Sequence, residues 1–590
     1  MKAPEFLLTS KAYMRLIEAF QITHSTPVGQ SSLKIFLACG FNPLHLPTML
    51  EAYLRLHWPE RNPEIRTGIY GDLPGNIERL HTSCYDLGIV MIEWADLDAR
   101  LGCRSVGGWM PDSFDDIVAN VRAHCASIAQ SVRRASIRAP LVICFPTLPL
   151  PPVSYTCGWQ ASSFDLELKA CLARLGADIS RSPNVQIVNQ QRLDEISPHN
   201  QRFDVHSELA TGFPFKLSHT SALAEIMSRL LRSHPTKKGL ITDLDGTLWK
   251  GSLGEVGSLG VSWSIEHRSQ RHALYQQLLR ALGASGVLIG IASKNSLPLV
   301  KEAFGREDIL LPFTSMFPVE VNWGPKSHSV SRILMTWNIS ADSVVFVDDT
   351  VMELAEVKAS FPEMECINFP HDDATIMSFL EHLRDLFGKT RIVEEDGLRL
   401  GSIARAPLFG EELTGAKGSA EFLMHAKAEL TLSFDKDAGD ARALQLVNKT
   451  NQFNLNGKRY TDGEWRSYLC SPDVVALVVS YRDKYGPLGK IAVLAGRRRK
   501  QQLFIDVWAM SCRAFSRQIE YRCLHELFAR CKCEEIVFNY VETQRNEPMR
   551  RFLSDLLQSP LSDHIGISRS QLLAMCPTTF HRVREMASVA

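Results

Sequence analysis

Two aspartates stand two positions apart directly after a short apolar run. Asp243 and Asp245 follow the run at 239–242, which is typical of a buried parallel strand. Carboxylates at this spacing can divide a phosphoryl transfer, because the first can attack phosphorus and bind Mg²⁺ while the second moves the proton of the leaving group. Gly246 permits the sharp turn that aims both carboxylates at one point. In isolation the same string could form a calcium loop or a polar turn.

Groups suited to holding phosphate follow further along the chain. A second strand-like run at 287–292 leads into Ser293, Lys294 and Asn295, where a hydroxyl and backbone amides could hold phosphate. Lys326 precedes a helical pattern and offers a point charge for phosphate oxygens. We therefore expect a phosphate clamp from these two segments.

A second acidic pair ends a third apolar run. Asp348 and Asp349 follow the run at 343–347 and provide the hard oxygen ligands that Mg²⁺ prefers. Open α/β sheets bind their ligands at the carboxyl ends of strands, which is where both acidic pairs and the serine are expected to lie. The chain thus presents an acidic pair, a serine, a lysine and an acidic pair, in that order.

This order resembles the four motifs of the haloacid dehalogenase (HAD) superfamily of aspartyl phosphotransferases. The resemblance implies that Asp243 is the nucleophile and Asp245 the acid/base. It also implies a metal site of Asp243, Asp245, Asp348 and Asp349, and phosphate- or substrate-binding roles for Thr247, Ser293, Lys294, Asn295 and Lys326. The alternative is a polar cluster at strand ends without chemistry, and it requires four ordered matches to be coincidental.

Length and composition limit the class of protein. At 590 residues, the chain is too long for one core, and roughly 150 residues per domain suggests three or four domains. Lys plus Arg equals Asp plus Glu at 65 each, so no global field favours nucleic acid or an anionic membrane as partner. The 14 cysteines show no regular framework, and no apolar run is long enough to cross a bilayer. We expect a cytoplasmic protein with reduced thiols.

The first segment, residues 1–225, alternates apolar runs with helical patterns and predicts a parallel α/β sheet. The expected strands are 33–38, 87–92, 140–145 and 185–188. The segment resembles an SGNH hydrolase domain, but Cys39 stands where the nucleophilic serine is expected, and Lys216, not Asp, precedes His219 by three positions. We interpret it as a degenerate hydrolase fold serving as scaffold or docking surface, with a working thiol at Cys39 as the alternative.

Two further domains are expected. Residues 226–390 carry the HAD-like motifs and leave room for only a minimal cap, so the site admits bulky substrates or is covered by another domain or partner. Residues 391–590 contain strand-like runs at 474–481, 489–494 and 503–508 followed by a helix, which resembles the GNAT acyltransferase fold. The helix start at 513–518 contains no glycine, so binding of a CoA pyrophosphate is not expected.

Three blocks narrow the resemblance to the FkbH-like HAD-IIIC family. They are DLDGTLWKGSLGEVG at 243–257, NKTNQFNLNGKRYTDGEW at 448–465, and YRDKYGPLG at 481–489 with MSCR at 510–513. The resemblance implies an enzyme that loads a glyceryl unit from 1,3-bisphosphoglycerate onto an acyl carrier protein in polyketide-type biosynthesis. In such a reaction Asp243 is expected to attack the ester phosphate, because attack at the phosphorus of the acyl phosphate would discard the activated carboxyl group.

A thiolate must capture the activated acyl carbon in such a reaction. Cys512 is one candidate, since Arg513 and a helix N-terminus would lower its pKa, and the phosphopantetheine of the carrier is the other. The basic run Arg497, Arg498 and Arg499 is either a contact for an acidic carrier protein or a solvated hairpin tip. Two other functions stay open: a plain HAD phosphatase acting on a small phosphate ester, and a non-catalytic scaffold that docks carrier proteins.

Overall fold

The computed structural model describes most of the chain. The described residues are 13–25, 31–106, 109–182, 184–232, 236–389, 424, 427–484, 486–511, 514–515, 517–558, 561, 565–577 and 579–585. They form two compact units: an N-terminal unit, Leu8–His234 with Tyr460–Tyr468, and a second unit that contains Pro235–Arg459 and Leu469–Ala590. The second unit therefore combines the expected HAD-like and GNAT-like segments in one compact body.

The N-terminal unit is built on a parallel sheet in the order β2-β1-β3-β4-β5. Its strands are β1 Ser31–Ala38, β2 Arg61–Thr67, β3 Leu87–Met91, β4 Leu141–Cys144 and β5 Val185–Ile187. The helices that pack on its two faces are α1 Leu16–His24, α2 Leu46–His57, α3 Leu73–Thr82, α4 Trp94–Leu97, α5 Phe114–Ser136, α6 Ser163–Ile179, α7 Gln190–Ile196, α8 Val205–Thr211 and α9 Leu217–Leu231. All four predicted strands are confirmed.

In the N-terminal unit, the strand that sequence reasoning missed is β2. Its sequence RNPEIRT is mostly polar and partly exposed, so it carries neither an apolar run nor a clean alternation. The strand pairs only with β1 among the described strands and therefore lies at the edge of the sheet. An edge position tolerates Pro63, which cannot donate a ladder hydrogen bond.

The second unit begins with a parallel sheet in the order β10-β9-β6-β7-β8, hereafter the central sheet. Its strands are β6 Gly239–Thr242, β7 Leu288–Ser293, β8 Val319–Val321, β9 Val344–Asp348 and β10 Glu365–Asn368. Its helices are α10 Leu253–Gly260, α11 Gln270–Ala284, α12 Leu297–Phe304, α13 Lys326–Trp337, α14 Val351–Ser360 and α15 Ile376–Phe387. The residues of β6, β7 and β9 are buried, as continuous apolar runs predict for central parallel strands.

A larger, mainly antiparallel sheet completes the second unit, in the order β17-β16-β15-β14-β13-β11-β18. Its strands are β11 Glu429–Ser433, β12 Phe453–Asn454, β13 Val474–Asp483, β14 Gly486–Arg499, β15 Gln502–Met510, β16 Glu535–Phe538, β17 Gly566–Ser568 and β18 Arg582–Glu585, with β12 paired to β15. Its helices are α16 Ala441–Lys449, α18 Ile519–Cys531, α19 Glu547–Leu557 and α20 Arg569–Met575, whereas most of α17 Asp462–Cys470 belongs to the N-terminal unit.

The mixed α/β class with parallel sheets is confirmed, and so are the three antiparallel strands predicted between 474 and 508. Likeness to SGNH and GNAT domains stays a prediction, as do the domain boundaries. The polar link with Gly397, Gly401 and Gly410 lies outside the described residues. In the described ranges, every helix falls short of the length and apolarity that crossing a membrane requires.

Candidate active site

Three of the predicted acidic residues meet at the carboxyl edge of the central sheet. Strands β6 and β9 are neighbours, and Thr242 pairs with Val347, so the next residues along each strand, Asp243 and Asp348, lie side by side. Asp349 joins them, and one oxygen from each of the three carboxylates lies within 4.8 Å of the others. Asp243 and Asp348 are buried. The parallel register therefore concentrates negative charge at one point.

Lys326 places a buried ammonium between two of these carboxylates. It is the first residue of α13, and its Nζ lies 3.1 Å from Oδ1 of Asp243 and 2.5 Å from Oδ2 of Asp348. Burial alone would lower the pKa of Lys326, but the two neighbouring carboxylates outweigh burial and raise it. The lysine therefore stays charged and partly compensates the acidic cluster.

Asp243 is the most perturbed member of the cluster. Burial raises its pKa to about 7, the charge of Lys326 opposes that shift, and the charge of Asp348 adds to it. Burial also raises the pKa of Asp348. Although Lys326 lies at ion-pair distance, the buried Oδ1 of Asp243 accepts no hydrogen bond from the described residues. An uncompensated buried carboxylate oxygen beside two further carboxylates fits a hard divalent cation such as Mg²⁺.

Gly246 makes room for the third carboxylate. Its φ of +73° lies in the left-handed region, which disfavours residues with a side chain. A Cβ at this position would lie 2.2 Å from Oδ2 of Asp349. The glycine is thus required both for the turn after β6 and for the close approach of Asp349.

Asp245 lines the same cavity but does not join the acidic cluster. Its Oδ1 accepts a hydrogen bond from Nε1 of Trp249 at 2.8 Å. Its Oδ2 accepts from the backbone N–H of Leu253 and from Nδ2 of Asn295, both at 3.1 Å. Because these three donors hold the carboxylate away from the cluster, the prediction that this side chain completes the metal group is not supported by the geometry. Burial raises the pKa of Asp245, which suits a group that gives and takes a proton.

A cavity of about 440 Å³, hereafter the acidic cavity, opens above the cluster. It is lined by Asp243, Asp245, Gly246, Gly251, Ser252, Ser293, Lys294, Lys326, Asp349, Thr350 and Glu353. Three predicted phosphate-binding residues are brought together here: Ser293, Lys294 and Lys326. Thr247 is fully buried and does not line the cavity, and Asn295 supports Asp245 instead.

Glu353 is a site residue that sequence reasoning missed. It lies in the first turn of α14 and accepts an ion pair from Lys294, with Nζ 2.7 Å from Oε1. The pair fixes Lys294 at the cavity wall. An acidic residue four positions after Asp349, in the first turn of the helix that follows, was the available signal.

The remaining predicted residues have other surroundings. Cys512 and Arg513 lie outside the described residues. Arg498 and Arg499 are exposed near the end of β14, where the guanidinium of Arg499 lies 5.6 Å from the ring centre of Phe504. Arg497 lies nearby, its Nε 3.8 Å from a carboxylate oxygen of Asp506. A carrier contact at this run stays a prediction.

In the N-terminal unit, Cys39 and His219 are core residues. Cys39 is 2% exposed, its Sγ donates to the carbonyl oxygen of Phe41 at 3.4 Å, and burial raises its pKa to about 12. His219 is fully buried, with Nδ1 2.8 Å from Oγ of Ser197 and Nε2 3.0 Å from Oγ1 of Thr147. Burial lowers the pKa of His219 to about 3. Neither side chain is placed to act on a substrate.

Comparison with known proteins gave no matching family model and no matching curated protein. Among solved structures, the chain is similar to the N-terminal part of protein BF1531 from Bacteroides fragilis, which contains a phosphatase domain and is complexed with Mg. The sequence identity is 20%, the match covers 64% of this chain and 100% of that chain, and the TM-score is 0.49.

Two further similar structures match smaller parts of the chain. The cobalt-bound deoxy-D-mannose-octulosonate 8-phosphate phosphatase from Haemophilus influenzae is 14% identical, covers 27% of this chain and 94% of its own, and gives a TM-score of 0.20. A salicylyl-acyltransferase from a tetracycline biosynthetic pathway is 12% identical, covers 35% of this chain and 56% of its own, and gives a TM-score of 0.21. Likenesses this distant assign no activity, so the functional interpretation depends on the geometry of the site.

Proposed function

We propose that the second unit is a Mg²⁺-dependent phosphatase of the HAD type that works through a phospho-Asp243 intermediate. One observation supports this most directly. The buried Oδ1 of Asp243 accepts no hydrogen bond from the described residues, yet it lies 3.1 Å from Lys326 and within 4.8 Å of two further carboxylates. A purely structural carboxylate would be expected to have its hydrogen bonds satisfied.

The residues of the acidic cavity can divide the reaction between them. The carboxylate of Asp243 attacks phosphorus, the bond from phosphorus to the ester oxygen breaks, and Asp245 gives its proton to the leaving oxygen. Asp245 then takes a proton from water, which attacks the phosphorus of phospho-Asp243 and releases phosphate with the free carboxylate. Lys326, Ser293 and Lys294 hold the phosphate oxygens during both displacements.

Mg²⁺ fits the donor set of Asp243, Asp348 and Asp349. Bound there, it would neutralise charge on the transferring phosphoryl group. Burial and the charge of Asp348 raise the pKa of Asp243, and Lys326 only partly opposes that rise. Removal of divalent cations is therefore expected to abolish turnover.

The finer proposal concerns the substrate. The sequence blocks at 243–257 and 448–465 support removal of the ester phosphate of 1,3-bisphosphoglycerate and delivery of the glyceryl unit to an acyl carrier protein. A thiolate, either Cys512 or the phosphopantetheine of the carrier, would attack the activated acyl carbon, and the bond from that carbon to the acyl phosphate oxygen would break with release of inorganic phosphate. The proposed leaving group of the first step is then an alkoxide of a three-carbon acid.

The position of Ser511 constrains how the acyl group would travel. Ser511 precedes Cys512 and lines a second cavity that shares no lining residue with the acidic cavity. That second cavity includes Lys238, which precedes β6, whereas Asp243 follows it. Lys238 and Asp243 are five positions apart along β6, a span of roughly 17 Å at about 3.3 Å per residue. We propose that a mobile arm, such as the phosphopantetheine of the carrier, would carry the acyl group between the two cavities.

The decisive experiment measures both products in one reaction. The protein is incubated with Mg²⁺, 1,3-bisphosphoglycerate made in situ and phosphopantetheinylated carrier protein, and phosphate release is measured alongside intact masses. We expect a glyceryl adduct on the carrier that disappears with Asp243→Asn and persists with the matched control Asp373→Asn, an exposed aspartate paired with Arg271. Release of the ester phosphate that survives Asp243→Asn contradicts the proposal, whereas the acyl phosphate leaves during thiolate capture and does not require Asp243.

The two alternatives predict different results. Phosphate release without a carrier adduct would favour the plain phosphatase. No release with any tested phosphate ester, together with stable binding of the carrier, would favour the docking scaffold. The buried cluster of Asp243, Asp348 and Lys326 argues against the scaffold, because buried charge is costly to retain without a function.

A further inference from the structure

The second cavity lies at the amino edge of the central sheet, and we call it the basic cavity. Its volume is about 440 Å³, within the range of small-molecule sites. It is lined by Lys238, Leu288, Trp337, Asn338, Ile339, Ser340, Glu363, Arg442, Gln445, Leu446, Lys449, Thr450, Asn451, Gln452, Met510, Ser511, Gln544 and Arg545. Both the central sheet and the C-terminal sheet of the second unit contribute to it.

One side of the basic cavity is formed by the loop at 449–452, which hydrogen bonds from Arg459 and Asn454 hold in place. Arg459 is largely buried and donates to the carbonyl oxygens of Val447 at 2.6 Å and Thr450 at 2.8 Å. Nδ2 of Asn454 donates to the same two carbonyl oxygens, at 3.4 and 3.1 Å. Burial lowers the pKa of Arg459, which marks how deeply this anchor is embedded. The loop at 449–452 is therefore held in one conformation where it faces the cavity.

The asparagine-rich block explains how this loop is supported. Strands β15 and β16 pair in parallel only as far as Ile505 and Phe538, and the short strand β12 then pairs with β15. Nδ2 of Asn456 bridges the carbonyl oxygens of Asp506 at 2.9 Å and Asn539 at 3.2 Å. The segment after the loop thus fills the gap where the two strands separate, and fixes the loop that precedes it.

Hydrogen bonds connect this loop to the residues just before β6, on the other side of the cavity. Nζ of Lys449 donates to Oγ1 of Thr236 at 3.3 Å, and Nζ of Lys238 donates to the carbonyl oxygen of Lys449 at 3.4 Å. At the rim, Arg545 pairs with Asp342 at 2.7 Å. Hydrogen bonds therefore link the two sides of the cavity, which lies within one compact unit.

The lining chemistry is basic and rich in amides. Among the described lining residues, Lys238, Arg442, Lys449 and Arg545 are cationic, and Arg545 forms ion pairs with the carboxylates of Asp342 and Glu363. Side-chain amides come from Asn338, Gln445, Asn451, Gln452 and Gln544, and apolar surface comes from Leu288, Trp337, Ile339, Leu446 and Met510. Such a lining suits an anionic group attached to an uncharged chain that carries amides or hydroxyls.

We propose that the basic cavity binds an organic phosphate in which a phosphate group is joined to an uncharged polar chain. Lys238, Arg442 and Lys449 would bind the phosphate, and the loop at 449–452 would hydrogen-bond the chain. The cavity is far larger than inorganic phosphate requires, so the attached chain is part of the recognised ligand. This binding does not depend on the phosphatase chemistry proposed at Asp243.

The test uses the full chain carrying Asp243→Asn, without divalent cations, so that turnover is excluded. The probe is 4′-phosphopantetheine, which combines a phosphate with amides and a hydroxyl, compared by calorimetry with pantetheine and with inorganic phosphate. We expect saturable binding of the phosphorylated probe. Lys449→Gln removes a cation, and Gln452→Trp fills the cavity without changing charge, so each should weaken binding at least tenfold.

The control variant is Lys301→Gln, which removes one exposed lysine on α12 and should leave binding unchanged. Equal affinity for pantetheine, unchanged binding in both cavity variants, or loss of binding only with Lys326→Met would overturn the proposal. The same probe carried on an acyl carrier protein distinguishes a tethered from a free source. Binding of either form that is lost in both cavity variants supports the proposal.

Discussion

The two parallel sheets both carry buried polar groups at their carboxyl ends, but they treat those groups differently. In the N-terminal unit, Glu93 is almost fully buried and accepts hydrogen bonds from Oγ1 and the backbone N–H of Thr147 and from the backbone N–H of Leu148. Thr147 in turn contacts the buried His219 at 3.0 Å. In the central sheet, the buried Oδ1 of Asp243 accepts no hydrogen bond from the described residues, and the residue is among those that line the acidic cavity.

The difference separates a scaffold from a site. Buried polar groups that satisfy one another stabilise a single packing arrangement and leave nothing for a ligand to complete. A buried carboxylate that lacks a hydrogen bond raises the energy of the empty site, and a cation or a phosphoryl group can recover that energy. Within the described parts of the chain, both edges contain perturbed carboxylates, but the buried carboxylate oxygen of Asp243, which lacks a hydrogen bond, lies at the central edge.

The largest expected effect comes from removing the positive charge in the central cluster. Lys326→Met leaves Asp243 and Asp348 buried without their ammonium, so we expect phosphate release to fall about 10²–10³-fold, as when one charge-stabilising donor is removed. We also expect the second unit to lose about 3–5 kcal/mol of unfolding free energy in the absence of Mg²⁺. Rate assays and chemical denaturation check both, with Lys358→Met as an exposed control. Unchanged turnover in Lys326→Met would show that the charged cluster does not distinguish the central edge from the N-terminal edge.

A smaller effect is expected from crowding the acidic cluster. Gly246→Ala places a Cβ 2.2 Å from Oδ2 of Asp349 and forces a left-handed backbone on alanine, so Asp349 must move. Misplacement by about 1 Å costs on the order of 10²-fold in rate, which is the loss we expect. The matched control is Gly254→Ala on α10, where a Cβ meets nothing within 4 Å. Equal activity of both variants would show that the position of Asp349 does not matter.

The central site was easier to predict from sequence than its surroundings. Asp243 and Asp348 follow continuous apolar runs, and parallel strands bring their carboxyl ends together, so their meeting needed no further information. The side-chain orientation of Asp245 depends on Trp249, Leu253 and Asn295, which are contributed by separate segments. No local pattern encodes such contacts, so the sequence did not indicate that this carboxylate is held by them, and its metal assignment stays a prediction.

Sequence patterns also failed to predict segments that are held by backbone pairing between strands and carry no pattern of apolar residues. The polar edge strand β2 is held by its ladder to β1, and its residues give no periodic signal. The asparagine-rich block at 448–454 was recognised only as distinctive, since its role is to fill a gap between two strands that are far apart in sequence. Long-range pairing of this kind is visible only in the folded chain.

The stability of the N-terminal unit should depend on pH because of Glu93, which lies at the carboxyl edge of its sheet. Burial raises the pKa of Glu93 to about 8 from the ordinary 4.5, so the folded state favours the protonated acid. Its contribution to stability is fully present below pH 4.5 and is lost as the pH rises through 8. At about 1.4 kcal/mol per pKa unit, the loss amounts to a few kcal/mol.

Hydrogen exchange of the β1 and β3 amides between pH 4.5 and 8.5 measures this loss. Asp96, whose pKa burial raises to about 7, contributes in the same direction in the parent chain and in the variant. Comparison with Glu93→Gln therefore isolates Glu93, and the variant should show a shallower decline with pH. Parallel declines would mean that Glu93 is not held as the protonated acid.

The smallest effect is expected at Cys39, and it bears most directly on the scaffold interpretation. With its pKa raised to about 12, on the order of one thiol in 10⁵ is ionised at pH 7. Cys39→Ser keeps a donor for the carbonyl oxygen of Phe41, so phosphate release and carrier loading should both stay within about twofold of the parent chain. Alkylation followed by peptide mass spectrometry should label the exposed Cys84 and Cys157 well before Cys39. A tenfold loss of carrier loading with unchanged stability would instead make Cys39 a working thiol, and the N-terminal edge would then be a second site.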